Sequence, residues 1–282
     1  MKVQGEAECQ DSSARRTRSD VPFYIGLCVL GGVYLVLVLA MLAADAAFTS
    51  PRQLWRALGS PEIRYAIKLS LISCSLTTLL SLWVAVPLGY LISRHRFPGR
   101  GLVDAIIDIP IVLPPLVVGL SLLILFQTSL GQAVQKIIPV TYAIPSVIVA
   151  QFSVACAFAV RTMRVTFDQI NPRSEQVALT LGCTRSQAFW LVTLPEARRG
   201  MLTAATLAWA RALGEFGPIL VFSGATRMKT EVLSTTVFLE LSIGNLEAAV
   251  AVSLLMIIAA IVVLLLVRWF GSETTFGKAV EP

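Results

Sequence analysis

The chain has 282 residues, of which 56% are hydrophobic and 14% are charged, and its formal net charge is +6. This composition excludes an ordinary soluble domain, because too few polar side chains remain to cover a soluble core. It predicts an all-α membrane protein, since a helix pairs its own backbone groups inside lipid.

Six apolar runs are long enough to cross a hydrocarbon core of roughly 30 Å. We predict six transmembrane helices, at residues 22–44, 65–93, 102–126, 145–163, 201–222 and 246–269. The first run is too long for the apolar part of a signal peptide, and no small-residue cleavage site stands out after it. We therefore expect it to be retained as a span.

Lys and Arg residues set the predicted orientation. With the N-terminus inside, the cytoplasmic segments hold roughly twice as many of these residues as the outer loops. Residues 1–21 and 271–282 are therefore predicted cytoplasmic tails. Because orientation in the membrane already explains the net positive charge, we predict no nucleic-acid partner.

Several kinds of chemistry have no matching pattern in the sequence. There is no GxxxxGK[ST] phosphate loop, HExxH or GxSxG motif, so we predict no ATPase of its own and no enzyme activity. Five cysteines without a CxxC pair and the single His95 predict no metal site. No loop outside the membrane is large enough to fold into a solute-capturing domain, so capture is expected of another protein.

A polar connection of unusual length separates the fourth and fifth predicted spans. Asn171 can cap a helix that begins at Pro172, and Gly182 suits the left-handed residue that closes it, which predicts a helix over 172–181. Thr184 and Gln187 have the spacing of a capping box, which predicts a second helix that stops at Pro195. The connection therefore reads as a helix–turn–helix unit.

Phe189 and Val192 are three residues apart, so both can project from one side of the second helix. With Trp190 they predict an exposed apolar ridge, which normally marks contact with another protein. The alternative is an amphipathic helix lying on lipid headgroups. Such a helix should carry more Lys and Arg on its polar face, so we favour protein docking.

The same stretch resembles the cytoplasmic signature of the membrane subunits of binding-protein-dependent ABC importers with the type I fold. That signature is EAA, three residues, G, nine residues, I, one residue, LP. Every spacing matches, with Gln176, Val177, Ala178, Gly182, Val192, Leu194 and Pro195 at the motif positions. Gln176 replaces the motif glutamate, with Glu175 just before it, and Val177 replaces the first alanine.

The resemblance implies a six-helix permease domain over 62–270, with an ATPase-coupling region at 164–200. The motif, the Glu175 just before it and the predicted ridge together assign ATPase coupling to Glu175, Gln176, Ala178, Gly182, Phe189, Val192, Leu194 and Pro195. The resemblance also implies two ATPase subunits that bind the ATP and Mg²⁺, with no cofactor on this chain. A soluble binding protein and a second permease copy or sibling chain would complete an assembly in the plasma membrane.

Two further stretches look like the branch of this family that serves tetrahedral oxyanions, namely molybdate and tungstate and the similar sulfate and thiosulfate. They are RHRFPGRGLVDAIIDIPIVLPPLVVGLSLL and ARALGEFGPILVFSGATRMKTEVLSTTVFLEL. Another small solute is the alternative within transporters. A membrane scaffold or sensor that recruits a cytosolic partner is the alternative outside them.

Two places could shape a path through the membrane. Pro110, Pro114 and Pro115 lack an N–H, so the third span should bend or start late, either as a gate or as an ordinary proline-rich helix start. Arg211 and Glu215 are four residues apart and should pair, facing the protein interior. They either line the path or hold spans in register.

Overall fold

The structure is a computed structural model that describes residues 21–272, and the side chains of residues 24–265. No β-strand occurs among the described residues. The helices are α1 (Val21–Phe48), α2 (Pro51–Gly59), α3 (Pro61–Arg94), α4 (Arg100–Val112), α5 (Pro115–Gln127), α6 (Ser129–Ile137), α7 (Ile144–Gln169), α8 (Pro172–Thr180), α9 (Arg185–Ala188), α10 (Leu194–Glu196), α11 (Arg198–Leu213), α12 (Gly217–Phe222), α13 (Leu233–Ser242) and α14 (Leu246–Ser272). A π-helical turn, Phe189–Thr193, joins α9 to α10.

Within the described part of the chain, four helices are long and apolar enough to cross a membrane, namely α1, α3, α7 and α14. The pair α4 and α5 counts as a fifth span if the two are taken together, although they are bent by 112°. α1 is a structural unit of its own that ends at Phe48. The predicted tail 271–282 lies almost wholly outside the described residues, as does 1–21.

The predicted bend of the third span is confirmed. α4 ends at Val112, and Pro114 and Pro115 stand at the start of α5. Neither proline has an N–H to donate to the preceding turn, so the helix breaks at that point. Pro110 is accommodated inside α4.

The prediction of one continuous helix over 201–222 was wrong. α11 ends at Leu213, and α12 begins at Gly217 after a break at residues 214–216. Pro218, near the start of α12, cannot donate to a carbonyl of the preceding turn, which favours a new helix start over continuation.

The centre of the bundle is formed by α3, α7 and α11, which pack along one another. Small buried side chains such as Ala85, Ala155 and Ala208 let these backbones come close. A Cβ on Gly89 of α3 would lie 2.9 Å from Cβ of Met163 in α7. The core is therefore built for close helix packing.

A second close approach joins α12 to α5. A Cβ on Gly217 would lie only 2.8 Å from Cβ of Pro115, and one on Gly119 would lie 2.8 Å from Cα of Pro218. The close approach at Gly217 is therefore made within the chain. Gly214 has no comparable neighbour, since a Cβ there would lie 3.7 Å from the nearest atom, Ala210 O.

This difference gives a matched pair of variants. Gly217→Ala should lower the free energy of unfolding by about 1–3 kcal/mol, because the added methyl forces α5 and α12 apart. Gly214→Ala is the control and should have little effect. Thermal unfolding in detergent measures both, and equal melting temperatures would contradict the close approach.

Candidate functional site

The first helix of the 171–197 segment has the predicted ends. The Asn171 side chain accepts a hydrogen bond from Arg173 N at the start of α8. Gly182 has φ of 92°, and the next N–H, on Cys183, donates to Ala178 O at 3.1 Å. This left-handed closure satisfies the last carbonyls of α8 and turns the chain toward α9.

The second helix starts as predicted but continues past the expected stop. Thr184 and Gln187 form both hydrogen bonds of the capping box. The stop at Pro195 was wrong, because α10 carries the chain through this proline and almost directly into α11. The π-helical turn before it accommodates the missing N–H, with Leu194 N donating five residues back to Phe189 O.

The predicted apolar surface exists, but its members differ from those expected. Phe189 is partly buried, with its ring centroid 4.7 Å from that of Tyr90 and 6.5 Å from that of Phe167. Val192 and Leu194 are also partly buried, so the prediction that Phe189 and Val192 form the exposed ridge was wrong. Phe189 faces inward because its ring packs edge-to-face with that of Tyr90, a contact that spacing along one helix does not reveal.

Of the predicted ridge, Trp190 is exposed, and three further apolar side chains of the segment are exposed with it; we call these four the exposed apolar set. Its members are Val177 at 56%, Leu181 at 80%, Trp190 at 62% and Leu191 at 69% of full exposure. Gln176 and Pro195 are exposed as well, whereas Ala178 is buried at 7%. Large apolar side chains that point away from the bundle on a polar segment indicate a docking surface.

Glu175 points back toward the bundle. Its Oε1 accepts a hydrogen bond from the Tyr90 hydroxyl at 2.5 Å, and its Oε2 lies 3.8 Å from Arg94 Nε. The Thr193 hydroxyl is 3.5 Å from the same Oε2. The carboxylate therefore ties α8 to the end of α3.

α4 is attached to α7 by charge. Arg164 Nη1 lies 2.6 Å from Asp104 Oδ1, and Arg161 Nη1 lies 2.6 Å from Asp108 Oδ2. None of the α4 side chains, all of which are described, is fully buried. Two ion pairs, together with the partly buried Val103 and Ile107, therefore hold to the bundle the helix that precedes the sharp bend at Pro114.

Arg211 and Glu215 form the expected pair, with Arg211 Nη1 2.6 Å from Glu215 Oε2. Glu215 is 1% exposed. The Arg211 side chain is 29% exposed, and its guanidinium lies over the Phe158 ring. The carbonyl of Glu215 accepts a hydrogen bond from the Ser234 hydroxyl at 2.7 Å. The pair therefore sits at the break between α11 and α12 and is connected to α13.

Sequence reasoning missed Gln151, which also secures this break. Its side chain is buried in α7, donates to Ala212 O at 3.2 Å and accepts from the Thr77 hydroxyl at 3.2 Å. Ala212 lies in the last turn of α11, where carbonyls lose their helical partners. A lone glutamine within an apolar span was the available signal, since polar groups inside membranes are expensive and need partners.

The described residues form a helical bundle with several apolar spans, a bent α4–α5 pair, a broken α11–α12 pair and a helix–turn–helix unit. Two solved structures of a bacterial ABC importer of alginate share this fold. Each has a TM-score of 0.72 over 91% of this chain and 96% of theirs, at 19% and 21% identity.

Residues 85–274 match the model of the binding-protein-dependent transport system inner membrane component family, and the chain belongs to this family. It is a multi-pass inner-membrane permease subunit of an ABC transporter and is not itself an enzyme.

Curated relatives align along most of their length. The chain is 33% identical over 249 residues to the sulfate transport system permease protein CysT of Escherichia coli, covering 87% of this chain and 89% of the relative. It is 34% identical over 246 residues to a probable molybdenum ABC transporter permease protein of Haloferax volcanii, with the same coverage. It is 34% identical over 189 residues to the molybdate/tungstate permease protein WtpB of Pyrococcus abyssi, covering 67% and 72%.

Proposed function

We propose that this chain moves a tetrahedral oxyanion across the membrane, with transport driven by a separate ATPase subunit. The observation that carries the proposal is the exposed apolar set on the 171–197 segment, since a groove in a partner protein would bury such side chains. A soluble binding protein delivers the anion from outside. ATP and Mg²⁺ are bound by two ATPase subunits, and this chain holds no cofactor.

In the proposed arrangement both termini are cytoplasmic and six segments cross the membrane. α1, α3, α7 and α14 supply four of them. The bent pair α4 and α5 and the broken pair α11 and α12 supply the other two. Two permease chains, either copies or siblings, enclose the path.

Alternating access follows from these elements. Closure of the ATPase dimer displaces α8 and α9, and the displacement reaches the bundle through α7 and α11, which lie directly before and after the segment in the chain. The bend at Pro114 and Pro115 packs against Gly217 of α12, so the two broken spans move together as the gate. The Arg211–Glu215 pair holds the break beside this contact.

The substrate class rests on the relatives. Identity to a sulfate permease and to a probable molybdenum permease is nearly equal, at 33% and 34%. The candidate solutes are all tetrahedral, doubly charged oxyanions. Molybdate and tungstate are the first candidates, and sulfate or thiosulfate are the second. Selection among them falls mainly to the binding protein, which captures the anion first.

Vesicles that contain this chain, its ATPase and its binding protein test the proposal. Labelled molybdate and sulfate are offered separately on the side of the binding protein. ATP is either supplied or omitted on the side of the membrane where the ATPase lies. We expect ATP-dependent accumulation of at least one oxyanion, and calorimetry on the binding protein should rank molybdate, tungstate and sulfate in the same order. Normal assembly without accumulation of any oxyanion would contradict transport and favour a scaffold.

A further inference from the structure

Glu175 stands next to the motif position but faces away from the docking surface. Its side chain is 16% exposed, whereas the neighbouring residues Gln176 and Val177 are both exposed. A carboxylate that is turned inward and already bonded is unavailable to an incoming protein. Gln176, at the motif position itself, is exposed and available to a partner.

The inward carboxylate is held by two side chains one helical turn apart on α3. The Tyr90 hydroxyl donates to Oε1 at 2.5 Å, and Arg94 Nε lies 3.8 Å from Oε2. Arg94 also donates from Nη2 to Ile170 O at 3.0 Å, so it reaches the link between α7 and α8. Because the Arg94 side chain is only 11% exposed, water screens this contact weakly.

Aromatic packing fixes the donor in place. The Tyr90 ring makes edge-to-face contacts with Phe167 of α7, at 5.6 Å between centroids, and with Phe189 of the second helix, at 4.7 Å. Edge-to-face geometry is the favoured arrangement of aromatic pairs. One tyrosine therefore joins α3, α7 and both helices of the 171–197 segment.

The Tyr90–Glu175 contact links the 171–197 segment to a helix that is not adjacent to it in the sequence. α7 and α11 are covalently continuous with the segment, so any displacement of it acts on them directly. α3 lies elsewhere in the sequence and receives the displacement through side chains. A charge-assisted hydrogen bond of 2.5 Å is a strong non-covalent link of this kind.

We propose that Glu175 is a positioning residue that locks α8 to the cytoplasmic end of α3 through Tyr90 and Arg94, so that ATPase-driven motion reaches α3. It does not contact the ATPase. This inference rests on the proposed function, because it concerns how the docked segment transmits force. It assigns Tyr90 and Arg94, which lie outside the sequence motif, to the coupling apparatus.

The test uses the reconstituted complex with Tyr90→Phe, which keeps the ring, and Glu175→Gln, which keeps the shape of the side chain. Each should lower the oxyanion moved per ATP hydrolysed by about fivefold or more, while ATPase retention in a pull-down stays at the wild-type level. The double variant should be about as impaired as the worse of the two single variants, since both changes weaken the Tyr90–Glu175 bond. Tyr65→Phe is the control, because it removes a hydroxyl bonded to Lys229 O near the opposite end of α3.

The readouts separate the possible failures. Unchanged transport per ATP in both variants, with the ATPase bound, would overturn the lock. Loss of ATPase binding in Glu175→Gln alone would show that Glu175 touches the partner, which also overturns it but leaves the proposed function standing. If wild-type protein retains no ATPase, the proposed function itself fails.

Discussion

Leu181→Asp and Trp190→Asp should each weaken binding of the ATPase subunit by at least about 2 kcal/mol, roughly thirtyfold in Kd. Both side chains belong to the exposed apolar set, at 80% and 62% exposure, so a partner groove would bury them. Aspartate in that groove would be desolvated without a counter-charge. A pull-down of the ATPase with detergent-solubilised permease measures the loss.

Ser186→Asp serves as the control, since it adds the same charge at an exposed polar position of the second helix. It should bind the ATPase almost normally. All three variants should insert and unfold at wild-type temperatures, because none of the replaced side chains is buried. Wild-type ATPase binding by both Leu181→Asp and Trp190→Asp would contradict docking through this surface.

Phe189→Asp is a poorer test than the motif suggests. The Phe189 ring packs on Tyr90 and lies near Phe167, so the variant would disrupt the segment itself. Its loss of ATPase binding would follow from misfolding as readily as from a missing contact. Exposure, rather than membership of the signature, selects the informative positions.

Arg211→Leu should be the most destabilising single change in the membrane-embedded part of the chain. It removes the partner of Glu215, which is 1% exposed, and leaves a buried carboxylate without its counter-charge. Breaking a buried pair in this way costs about 3–5 kcal/mol. Part of that cost is spared here, because the Arg211 side chain keeps some exposure. Thermal unfolding and the yield of folded protein measure the effect.

The double variant Arg211→Leu/Glu215→Leu should recover most of the lost stability, since it removes both charges together. It also separates the two roles weighed for the pair. If the pair holds the α11–α12 break in register, the double variant should retain oxyanion uptake within about threefold of wild type, a change of under 1 kcal/mol. A stable double variant without uptake would instead place Arg211 in the path.

Local chemistry made the two helix starts of the 171–197 segment, and the turn between these helices, predictable. Asn171, Gly182 and the Thr184–Gln187 box act through hydrogen bonds within a few residues, so their effect on the backbone can be read from spacing alone. The bend at Pro114 and Pro115 was predictable for the same reason, because a missing N–H is a property of the residue. These features agree with the structure.

What the sequence could not supply was the direction of each side chain relative to distant elements. Phe189 faces inward because Tyr90, 99 positions earlier in the chain, offers its ring. Glu175 faces inward because the Tyr90 hydroxyl donates a hydrogen bond to its carboxylate and Arg94 pairs with it. Helical spacing shows which residues share a face and leaves open which face meets the bundle.

We propose that the 171–197 segment seats in the ATPase subunit and drives the bundle while transport proceeds. A photo-crosslinking amino acid at position 190, in vesicles that accumulate oxyanion with ATP, tests it most directly. We expect a crosslink to the ATPase subunit during uptake, with little labelling of lipid. A crosslink to lipid alone while uptake continues would contradict it.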